Sequence, residues 1–472
     1  MRPMRTKLPP SQHPPGPVSR WWGLPLLFEM KRDYLGFLTQ LQRNYGDISC
    51  MRLGKEHAWD LMSPDLVREA LVTHADSLIR WERGIDVFAQ IFGQSVLVTE
   101  GATWQRQRRM LMAAFSPKQM DGYAELMTAA AQAAFDQLVP DNQPHALVEM
   151  DTLWSRVAMD VILRTMFSRA VQDESDAAAQ ATQTLSALAF NEMFQLFTLP
   201  DWLPLPGKAA KRKALRTLRQ LIQSQISGRK VAIAAQAKQA AQQDLLGRLL
   251  ALRDEVTGTA LSDQEVYDQC MVSFQAGHET SATALLWWSR LMAEHPDMAQ
   301  RARQEVLAVV GHGTPGPHHI AQLPWLGATL KEAMRLYPPV AAIMSRRTTA
   351  PITVGGWHIP KGAMLRITPW VLQHDERWFA NAQSFCPERF LDGAPPIPKG
   401  AWMPFGAGPR VCLGQHFAML EMTLLSAMLL QRFELALPAD AAPCEPELHV
   451  TLRPKHPVQL RVVRISLSGT AS

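Results

Sequence analysis

Ten residues near the end of the chain, Phe405 to Gly414 (F-G-A-G-P-R-V-C-L-G), restrict its fold more than any other stretch. They place Cys412 in a glycine-rich bend, directly before a long apolar segment of helical character that begins near Phe417. Backbone N–H groups left free in a tight turn, and the N-terminus of a following helix, both stabilise a negatively charged sulfur. The stretch therefore predicts a bend that presents a thiolate at the start of a helix.

The residues beside Cys412 suit a flat partner that carries acidic groups. Gly406, Gly408 and Gly414 allow main-chain conformations and a close approach that a Cβ atom would forbid. Arg410, two residues before the sulfur, offers a cation for an acidic group on the same partner. A thiolate displayed in this way suits the role of single axial ligand to haem iron. The alternative interpretation is a buried structural cysteine.

This stretch resembles the haem-binding loop of the cytochromes P-450, whose pattern F-x-x-G-x-R-x-C-x-G is filled at every fixed position. The resemblance implies that Cys412 is the proximal thiolate ligand of haem b (iron protoporphyrin IX). It also implies that Phe405 packs beneath the sulfur and that Arg410 binds a haem propionate. Gly406 and Gly414 belong to the same cofactor-binding loop.

A second motif lies inside a predicted long helix. Ser262 and Glu265 have the spacing of a capping box. No proline follows until Pro296, so we expect a helix of roughly 48 Å at 1.5 Å per residue.

Within this helix, Ala276-Gly277-His278-Glu279-Thr280 resembles the family pattern A-G-x-[DE]-T, which lies on the helix crossing the distal haem face. Gly277 would leave room for dioxygen, and Thr280 can bond a backbone carbonyl and open the helix locally. Glu279 can relay protons as a general acid would. His278-Glu279 is not a zinc motif, because Ala282 stands where a second histidine is needed. We therefore interpret His278 as a structural or solvent-facing residue.

Three further residues are candidates for the haem propionates. Trp104 and Arg108 are four residues apart, on one face of a predicted helix, and resemble the W-x-x-x-R pair of the family. Arg346 matches the strand arginine that relatives use for the same purpose. Arg347 beside it leaves that assignment open by one residue.

A buried ion-pair triad is expected away from the reacting groups. Glu332 and Arg335 lie three residues apart, on a helix that should end before Pro338-Pro339. In the family this E-x-x-R pair is joined by the arginine of a P-E-R-F motif, here Arg389. We expect the three residues to position the backbone rather than to take part in the reaction.

Two apolar stretches, Trp81 to Leu97 and Phe190 to Trp202, either pack in the core or line a substrate cavity. If they face the cavity, the substrate is substantially apolar. The predicted pocket residues are Phe88, Phe92, Phe194, Phe274, Ala276, Val340 and Ile343.

The fold class that these motifs imply is mainly α with small β-sheets (α+β), the cytochrome P-450 fold. The chain has 472 residues, but no linker divides it and its breaks in pattern are short enough to be loops. We expect a proline-rich lead-in at residues 1–20 and one catalytic domain at 21–472. Gly46 to Met62 predicts a β-hairpin, Ser63-Pro64 the start of a helix, and Phe417 to Leu437 a buried core helix.

Charge and cysteine usage narrow the class further. The net charge of +5 is only mildly basic, and no nucleic-acid partner is expected. The five scattered cysteines favour neither a disulfide framework nor a zinc site, which fits a reducing compartment. No signal peptide is visible, and the apolar cluster from Trp21 to Phe28 is broken by Gly23 and Pro25. We expect a cytoplasmic protein without a membrane span.

The resemblance implies a haem-thiolate monooxygenase that inserts one oxygen atom of O2 into a C–H or C=C bond of a lipophilic molecule, such as a fatty acid or terpenoid. Because no flavin or iron–sulfur motif occurs, electrons should come from a separate ferredoxin or flavodoxin with its reductase. Arg106, Arg109 and Lys399 either form part of its docking surface or are ordinary solvated cations. The alternatives are a haem-thiolate isomerase or peroxide-dependent enzyme, and a non-catalytic haem sensor. A haem-thiolate isomerase or peroxide-dependent enzyme has less need of a Glu279–Thr280 proton relay.

Overall fold

Helices are the main secondary structure of the protein. A computed structural model describes residues 13–168, 172–193, 203, 205–235 and 244–465. Within those ranges there are fifteen α-helices: α1 Leu24–Arg32, α2 Tyr34–Tyr45, α3 Pro64–Arg68, α4 Glu82–Phe92, α5 Gly101–Ala114, α6 Pro117–Phe135, α7 Met150–Phe167, α8 Gln172–Met193, α9 Pro206–Ala234, α10 Leu245–Ala251, α11 Asp263–Glu294, α12 Pro296–Val309, α13 Pro324–Leu336, α14 Pro369–Gln373 and α15 Gln415–Arg432.

Short strands accompany these helices, so the predicted α+β class is confirmed. The same ranges contain twelve strands: β1 Ile48–Leu53, β2 Glu56–Leu61, β3 Leu78–Arg80, β4 His145–Glu149, β5 Arg346–Thr348, β6 Ile352–Val354, β7 Trp357–Ile359, β8 Met364–Ile367, β9 Phe433–Ala436, β10 Pro446–Leu448, β11 Leu452–Pro454 and β12 Gln459–Arg464.

Prolines set many of the helix boundaries. Six of the helices, α3, α6, α9, α12, α13 and α14, have proline as their first residue. Proline suits this position because its fixed φ is already helical and its missing N–H would have no partner inside the helix. A chain with 34 prolines can therefore be mainly helical.

The chain forms two compact units, each assembled from three stretches of sequence. The first unit comprises Met1–Asp86, Val340–Ser384 and Pro395–Cys412. The second comprises Val87–Pro339, Phe385–Ala394 and Leu413–Ser472.

A five-stranded sheet with the order β1-β2-β8-β5-β3 organises the first unit. The predicted hairpin is confirmed: β1 and β2 pair antiparallel, with Ile48 opposite Leu61. Strand β2 then pairs parallel with β8, which is distant in sequence. The hairpin leads into α3, which begins at Pro64 as predicted. Ser63 is the N-cap residue of this helix, also as predicted, although its side chain makes no capping hydrogen bond.

The long helix α11 is the centre of the second unit. It has 32 residues, and Ser262 and Glu265 form the predicted capping box. Helix α7 packs along it, and the Trp154 indole N–H of α7 donates a 2.8 Å hydrogen bond to Ser289 Oγ of α11. Two small sheets, β4-β12-β9 and β10-β11, complete this unit. None of the helices in the described ranges combines the length and apolar character needed to cross a bilayer.

Helix α15 is shorter than the apolar run from Phe417 to Leu437 predicted. It begins at Gln415 and ends at Arg432, after which the chain continues as strand β9. Phe433 has an extended backbone and pairs with Arg464 of β12. The apolar side chains of Phe433 and Leu435 are therefore buried in a sheet, because β12 offers an edge for pairing.

Candidate active site

The loop around Cys412 is a tight hydrogen-bonded bend. A 3₁₀ turn covers Gly408–Arg410, and the Val411 N–H donates to the Gly408 carbonyl at 3.1 Å. The Cys412 N–H donates to the Phe405 carbonyl at 2.9 Å, which closes the bend. These bonds fix the backbone that carries the sulfur.

One glycine of this loop is required by its surroundings. Gly408 has a φ of 72°, and a Cβ atom there would lie 2.1 Å from the Leu71 carbonyl oxygen. Leu71 belongs to the π-helical turn Glu69–Thr73, on which the loop rests. Gly406 also has a positive φ, 77°. Gly414 has a φ of −85°, which any residue adopts, so its conformation does not require glycine.

Cys412 differs from the other four cysteines in exposure. Its side chain is exposed, whereas Cys270 is buried and Cys50, Cys386 and Cys444 are half-buried. Burial raises the pKa of Cys50 and of Cys444 to about 11. It also raises the pKa of Cys270 and of Cys386. Those four thiols stay protonated at neutral pH, because the thiolate is the costlier form in an apolar surrounding. Cys412 is therefore the cysteine that suits a ligand.

Helix α11 has an open face of small residues in an otherwise buried stretch. Between Gln269 and Ser281 the residues that keep exposed surface are Ser273, Ala276, Gly277 and Thr280. Their spacing of three and four residues puts them on one side of the helix. A flat group can approach such a face closely, since the side chains are short. A face of this kind fits the haem that the sequence motifs imply.

Thr280 and Gly277 each have a second constraint. The Thr280 hydroxyl donates a 2.7 Å hydrogen bond to the Ala276 carbonyl, as the motif predicts. At Gly277, a Cβ atom would lie 2.8 Å from the Ile162 Cδ1 atom of α7. The absence of a side chain at this position therefore also permits the close packing of α7 against α11.

Glu279 is buried and held by three donors on Oε1. Ser186 Oγ of α8 donates at 2.9 Å, Thr451 Oγ1 at 2.7 Å and Arg453 Nη2 of β11 at 3.0 Å. The last contact is an ion pair with Arg453, which is itself partly exposed. The carboxylate is thus fixed in place and connected to two hydroxyl groups.

His278 is a structural residue rather than a solvent-facing one. It is buried, and its ring Nε2 lies 3.0 Å from the Ser155 carbonyl oxygen of α7. Burial lowers the pKa of His278 to about 4. The imidazole is therefore neutral at neutral pH, with its Nε2–H donated to Ser155.

The candidate propionate ligands Trp104, Arg108 and Arg346 lie on two elements, α5 and β5. Trp104 and Arg108 are both half-buried residues of α5. Arg346 is a buried residue of β5 whose guanidinium contacts the Met344 carbonyl. Arg347 binds carboxylates instead, Glu56 at 2.6 Å and Glu82 at 3.0 Å. These two ion pairs favour Arg346 over Arg347 for a propionate.

The predicted triad is assembled inside the second unit. Arg335 Nε and Nη2 donate to the two oxygens of Glu332 at 2.7 and 2.8 Å, and both side chains are 0% exposed. Arg389 Nε donates to Glu332 Oε1 at 3.1 Å. The Cys386 N–H also donates to this oxygen, at 2.9 Å. The triad thereby ties the P-E-R-F turn to helix α13.

The predicted pocket residues have different surroundings. Phe92 and Phe274 are buried in the main hydrophobic cluster of the second unit. Phe274 has no exposed surface, so packing explains it better than contact with a substrate. Phe88 is half-buried and stacks on Phe92, with ring centroids 5.7 Å apart. Ala276 is exposed, whereas Val340 and Ile343 in the first unit are half-buried. Phe194 lies outside the described residues.

Two of the three predicted docking cations are bound within the protein. Arg106 forms an ion pair with Glu265, and Arg109 donates to Asp254 Oδ1 at 2.7 and 3.0 Å. Lys399, in the first unit, is exposed. The guanidinium charges of Arg106 and Arg109 are therefore partly compensated before any partner binds.

The sequence did not predict the partners of Glu279. Ser186, Thr451 and Arg453 are 93, 172 and 174 residues away from it. The buried hydrogen bond from Ser281 Oγ to Glu421 Oε2, at 2.6 Å, was missed as well. Serine and threonine are common residues in this chain, and no local spacing distinguishes Ser186, Ser281 and Thr451 from the others.

Comparisons with known proteins identify the family of this chain. The family model described as Cytochrome P450 matches residues 14–462. The chain is 30% identical to cyclooctat-9-en-7-ol 5-monooxygenase of Streptomyces melanosporofaciens, over 86% of this chain and 85% of the relative. It is 30% identical to cyclooctatin synthase of the same organism, over 93% and 96%. Cytokinin hydroxylase of Arabidopsis thaliana is also 30% identical, over 89% and 81%. The chain therefore belongs to the cytochrome P450 family, the haem-iron oxidoreductases that take electrons from a redox partner and incorporate molecular oxygen.

Proposed function

We propose that this monooxygenase inserts one oxygen atom of O2 into a C–H or C=C bond of a lipophilic small molecule. Its cofactor would be haem b, held by the Cys412 thiolate. Its electrons would come from a separate ferredoxin or flavodoxin. The observation that carries the proposal is the exposed Cys412 thiol, in a bend that is closed by a hydrogen bond to Phe405. The other four cysteines of the chain are kept protonated by burial.

Cationic and donor side chains would hold the acidic edge of the cofactor. Arg410, Arg346, Trp104 and Arg108 would bind the propionates. Haem iron with a thiolate ligand supplies the activation of dioxygen when it is bound. The contribution of the chain is to orient the substrate, exclude stray water and move protons.

Glu279 and Thr280 would move those protons. Arg453 balances the negative charge of Glu279, while the Ser186 and Thr451 hydroxyls share their protons with Glu279 Oε1. We assign the acceptance of protons to this carboxylate and their delivery to the Thr280 hydroxyl. The Thr280 hydroxyl, bonded to the Ala276 carbonyl, is held on the open face where protons are consumed.

The substrate would contact small and apolar groups. Ala276, Phe88, Val340 and Ile343 keep some exposed surface and are the side chains that we assign to contact with it. Phe92 and Phe274 would support them from the core. The printed names of three relatives support a small-molecule substrate. They are cyclooctat-9-en-7-ol 5-monooxygenase, cyclooctatin synthase and cytokinin hydroxylase.

The ligand assignment is tested by spectroscopy of the reduced protein under carbon monoxide. The wild-type protein should show the absorption of a thiolate-ligated haem, and Cys412→Ser should lose it. Cys444→Ser is the matched control, because Cys444 is half-buried and its raised pKa keeps it protonated. Histidine-type absorption in the wild type, or a normal spectrum in Cys412→Ser, would refute the assignment.

The reaction class is tested by turnover. A lipophilic compound that shifts the haem spin state should increase NAD(P)H consumption through an added ferredoxin or flavodoxin system and yield an oxygenated product. Product formation with peroxide alone, without reductant, would indicate the peroxide-dependent alternative. Substrate-induced spectral change without any turnover would indicate a sensor.

A further inference from the structure

A buried group of polar side chains lies where helices α7, α8 and α11 of the second unit contact one another. We call this group the polar cluster: Ser155 of α7, Thr182 and Ser186 of α8, and His278 of α11. None of the four is more than 8% exposed. Ser186 donates to Glu279 at 2.9 Å, which connects the polar cluster to the proposed proton relay.

Two atoms of the polar cluster have no hydrogen-bond partner among the described residues. They are Oγ1 of Thr182, a residue with 0% exposure, and Nδ1 of His278, a residue with 1% exposure. A buried polar atom without a partner destabilises the folded state. Native proteins satisfy nearly all such atoms, either with protein groups or with ordered water. Two such atoms in one cluster therefore indicate a small polar ligand.

The Thr182 hydroxyl is unpartnered although its own helix offers an acceptor. A threonine inside a helix can donate to the carbonyl four residues earlier. Thr184 of the same helix does so, with a 2.8 Å hydrogen bond to the Gln180 carbonyl. Thr182 makes no such bond. Its hydroxyl is therefore available to a partner inside the polar cluster.

His278 offers a hydrogen-bond acceptor to the same partner. Its Nε2 lies 3.0 Å from the Ser155 carbonyl oxygen and 3.2 Å from Ser155 Oγ, so Nε2 carries the ring proton. Burial lowers the pKa of His278 to about 4. The ring is therefore neutral at neutral pH, and Nδ1 has a lone pair to accept with. Water is the smallest group that can donate to this nitrogen and also bind the Thr182 hydroxyl.

Neighbouring residues of α8 place Thr182 inside the cluster. Gln183, the next residue, donates through Nε2 to Ser155 Oγ at 3.5 Å, and Ser155 in turn contacts the histidine. Ser186 lies one helical turn after Thr182 on the same face, and it donates to Glu279. Gln183 is exposed. The polar cluster therefore extends from the surface at α8 to the Glu279 carboxylate.

We propose that the polar cluster binds a water molecule between the Thr182 hydroxyl and Nδ1 of His278, and that this water is a proton source for Glu279. Its role as a source rests on the proposed relay through Glu279. Ser186 passes its hydroxyl proton to Glu279 Oε1 and takes a proton from the water, which regains one from solvent on the Gln183 side. Thr182 and His278 are positioning residues, because they act through the water that they hold.

A crystal structure of the haem-loaded protein tests the water directly. An ordered water should lie within about 3.2 Å of both Thr182 Oγ1 and His278 Nδ1. A well-ordered polar cluster without this water would overturn the proposal.

Thermal unfolding of Thr182→Val is an independent test, since valine has nearly the shape of threonine but no hydroxyl. The variant should melt below the wild type, because the bound water loses a partner. Without a water, Thr182→Val would only remove an unsatisfied hydroxyl, and its melting temperature would equal or exceed that of the wild type. That second result would contradict the proposal.

Turnover separates the proton source from a purely structural role. Thr182→Val should form less product and more peroxide per NAD(P)H consumed, and should slow more in D2O than the wild type does. Its spectral dissociation constant for the substrate should be unchanged. Thr182→Ser keeps a hydroxyl and should restore the wild-type product yield. Thr184→Val is the matched control, because that hydroxyl is already bound to the Gln180 carbonyl.

The same measurements on Thr280→Ala distinguish the water from the relay that it would supply. A loss of product yield in Thr280→Ala but not in Thr182→Val would reject the water as a proton source and leave the proposed relay intact. Unchanged product yield in both variants would overturn the relay and the proton source together.

Discussion

At the scale of single residues, buried charge decides which substitutions matter most. Glu332 and Arg335 are fully buried, and every charge in the triad is opposed by another. Removing Glu332 would leave both arginines without their carboxylate, and removing Arg335 would leave Glu332 with one cation in place of two. Either loss in an apolar surrounding costs more than the pair contributes. The triad is therefore a point where a small change has a large effect on stability.

Arg335→Ala should lower the free energy of unfolding by about 3–5 kcal/mol, because Glu332 is left buried beside Arg389 alone. Denaturant titration monitored by circular dichroism measures this. Arg301→Ala is the control, since the Arg301–Glu388 pair spans 3.7 Å and is about half exposed. Arg301 also contacts the Trp325 ring. Arg301→Ala should therefore lower the free energy of unfolding by only about 1 kcal/mol. Equal losses for the two variants would contradict a buried triad.

Thr280→Ala should uncouple oxygen reduction from product formation. Without the hydroxyl on the open face of α11, protons are delivered less selectively, and reduced oxygen should leave as peroxide. Thr280→Ser retains a hydroxyl and is the matched control. The measurement is the amount of product and of peroxide per NAD(P)H consumed. An unchanged product yield per electron in Thr280→Ala would contradict the relay role.

At the scale of elements, contacts between helices and turns limit which side chains fit at positions where the motifs alone would allow several. The loop Phe405 to Gly414 rests on the turn Glu69–Thr73, and helix α11 packs closely on α7 at Gly277 and is hydrogen-bonded to α15 through Ser281 and Glu421. Each contact is between segments far apart in sequence. Each can be tested by a substitution that affects one contact.

Gly408→Ala should prevent the loop from reaching its native position. Its φ of 72° is unfavourable for alanine, and the added Cβ would also meet the Leu71 carbonyl at 2.1 Å. Gly362→Ala is the matched control, because Gly362 has a φ of 85° with nothing within 4 Å of the added atom. The control should lose about 1–2 kcal/mol of stability, because alanine is unfavourable in the left-handed conformation. We expect a larger loss and reduced haem content for Gly408→Ala, measured by thermal unfolding and the Soret absorbance. Equal values would rule out the clash.

Glu421 should make stability depend on pH. Burial raises the pKa of this carboxyl to about 8, and its hydrogen-bond partner is Ser281 of α11. The native state therefore holds a proton that the unfolded chain releases at lower pH. Stability contributed by the neutral acid is present at low pH and declines as pH rises from the unfolded pKa toward about 8.

Glu421→Gln keeps a neutral hydrogen-bonding side chain and cannot ionise. The melting temperature of the wild type should fall more steeply with rising pH over this range than that of Glu421→Gln. Ser281→Ala, which removes the partner alone, should keep the pH dependence. Parallel curves for the wild type and Glu421→Gln would show that this carboxyl is not the titrating group.

At the scale of the whole molecule, each unit depends on stretches from distant parts of the chain. The sheet of the first unit needs β5 and β8, which follow Pro339, beside β2 and β3, which lie in the first 86 residues. The second unit likewise needs Phe385–Ala394 for its triad and Leu413–Ser472 for α15. The first unit is therefore complete only with residues up to Cys412, and the second only with residues after Leu413.

A fragment of residues 1–339 should therefore fail to fold cooperatively. It lacks the neighbours of β2 and β3 in the sheet, and it lacks Arg389 and α15. Hydrogen exchange should show unprotected amides in the hairpin of β1 and β2. Co-expression with residues 340–472 supplies every stretch and is the control. A cooperative thermal transition in the fragment alone would contradict this dependence.

The sequence alone determined the local features of this protein. The glycine bend at Cys412, the capping box at Ser262, the hairpin before Pro64 and the Glu332–Arg335 spacing each depend on neighbours within a few residues, so their patterns could be recognised directly. Only the tertiary structure decided that Ser186, Thr451 and Arg453 hold Glu279, that Phe274 belongs to the core, and that Arg347 binds two carboxylates. These outcomes depend on which distant segments become neighbours and on what burial does to their charges, and no local spacing in a single sequence records either.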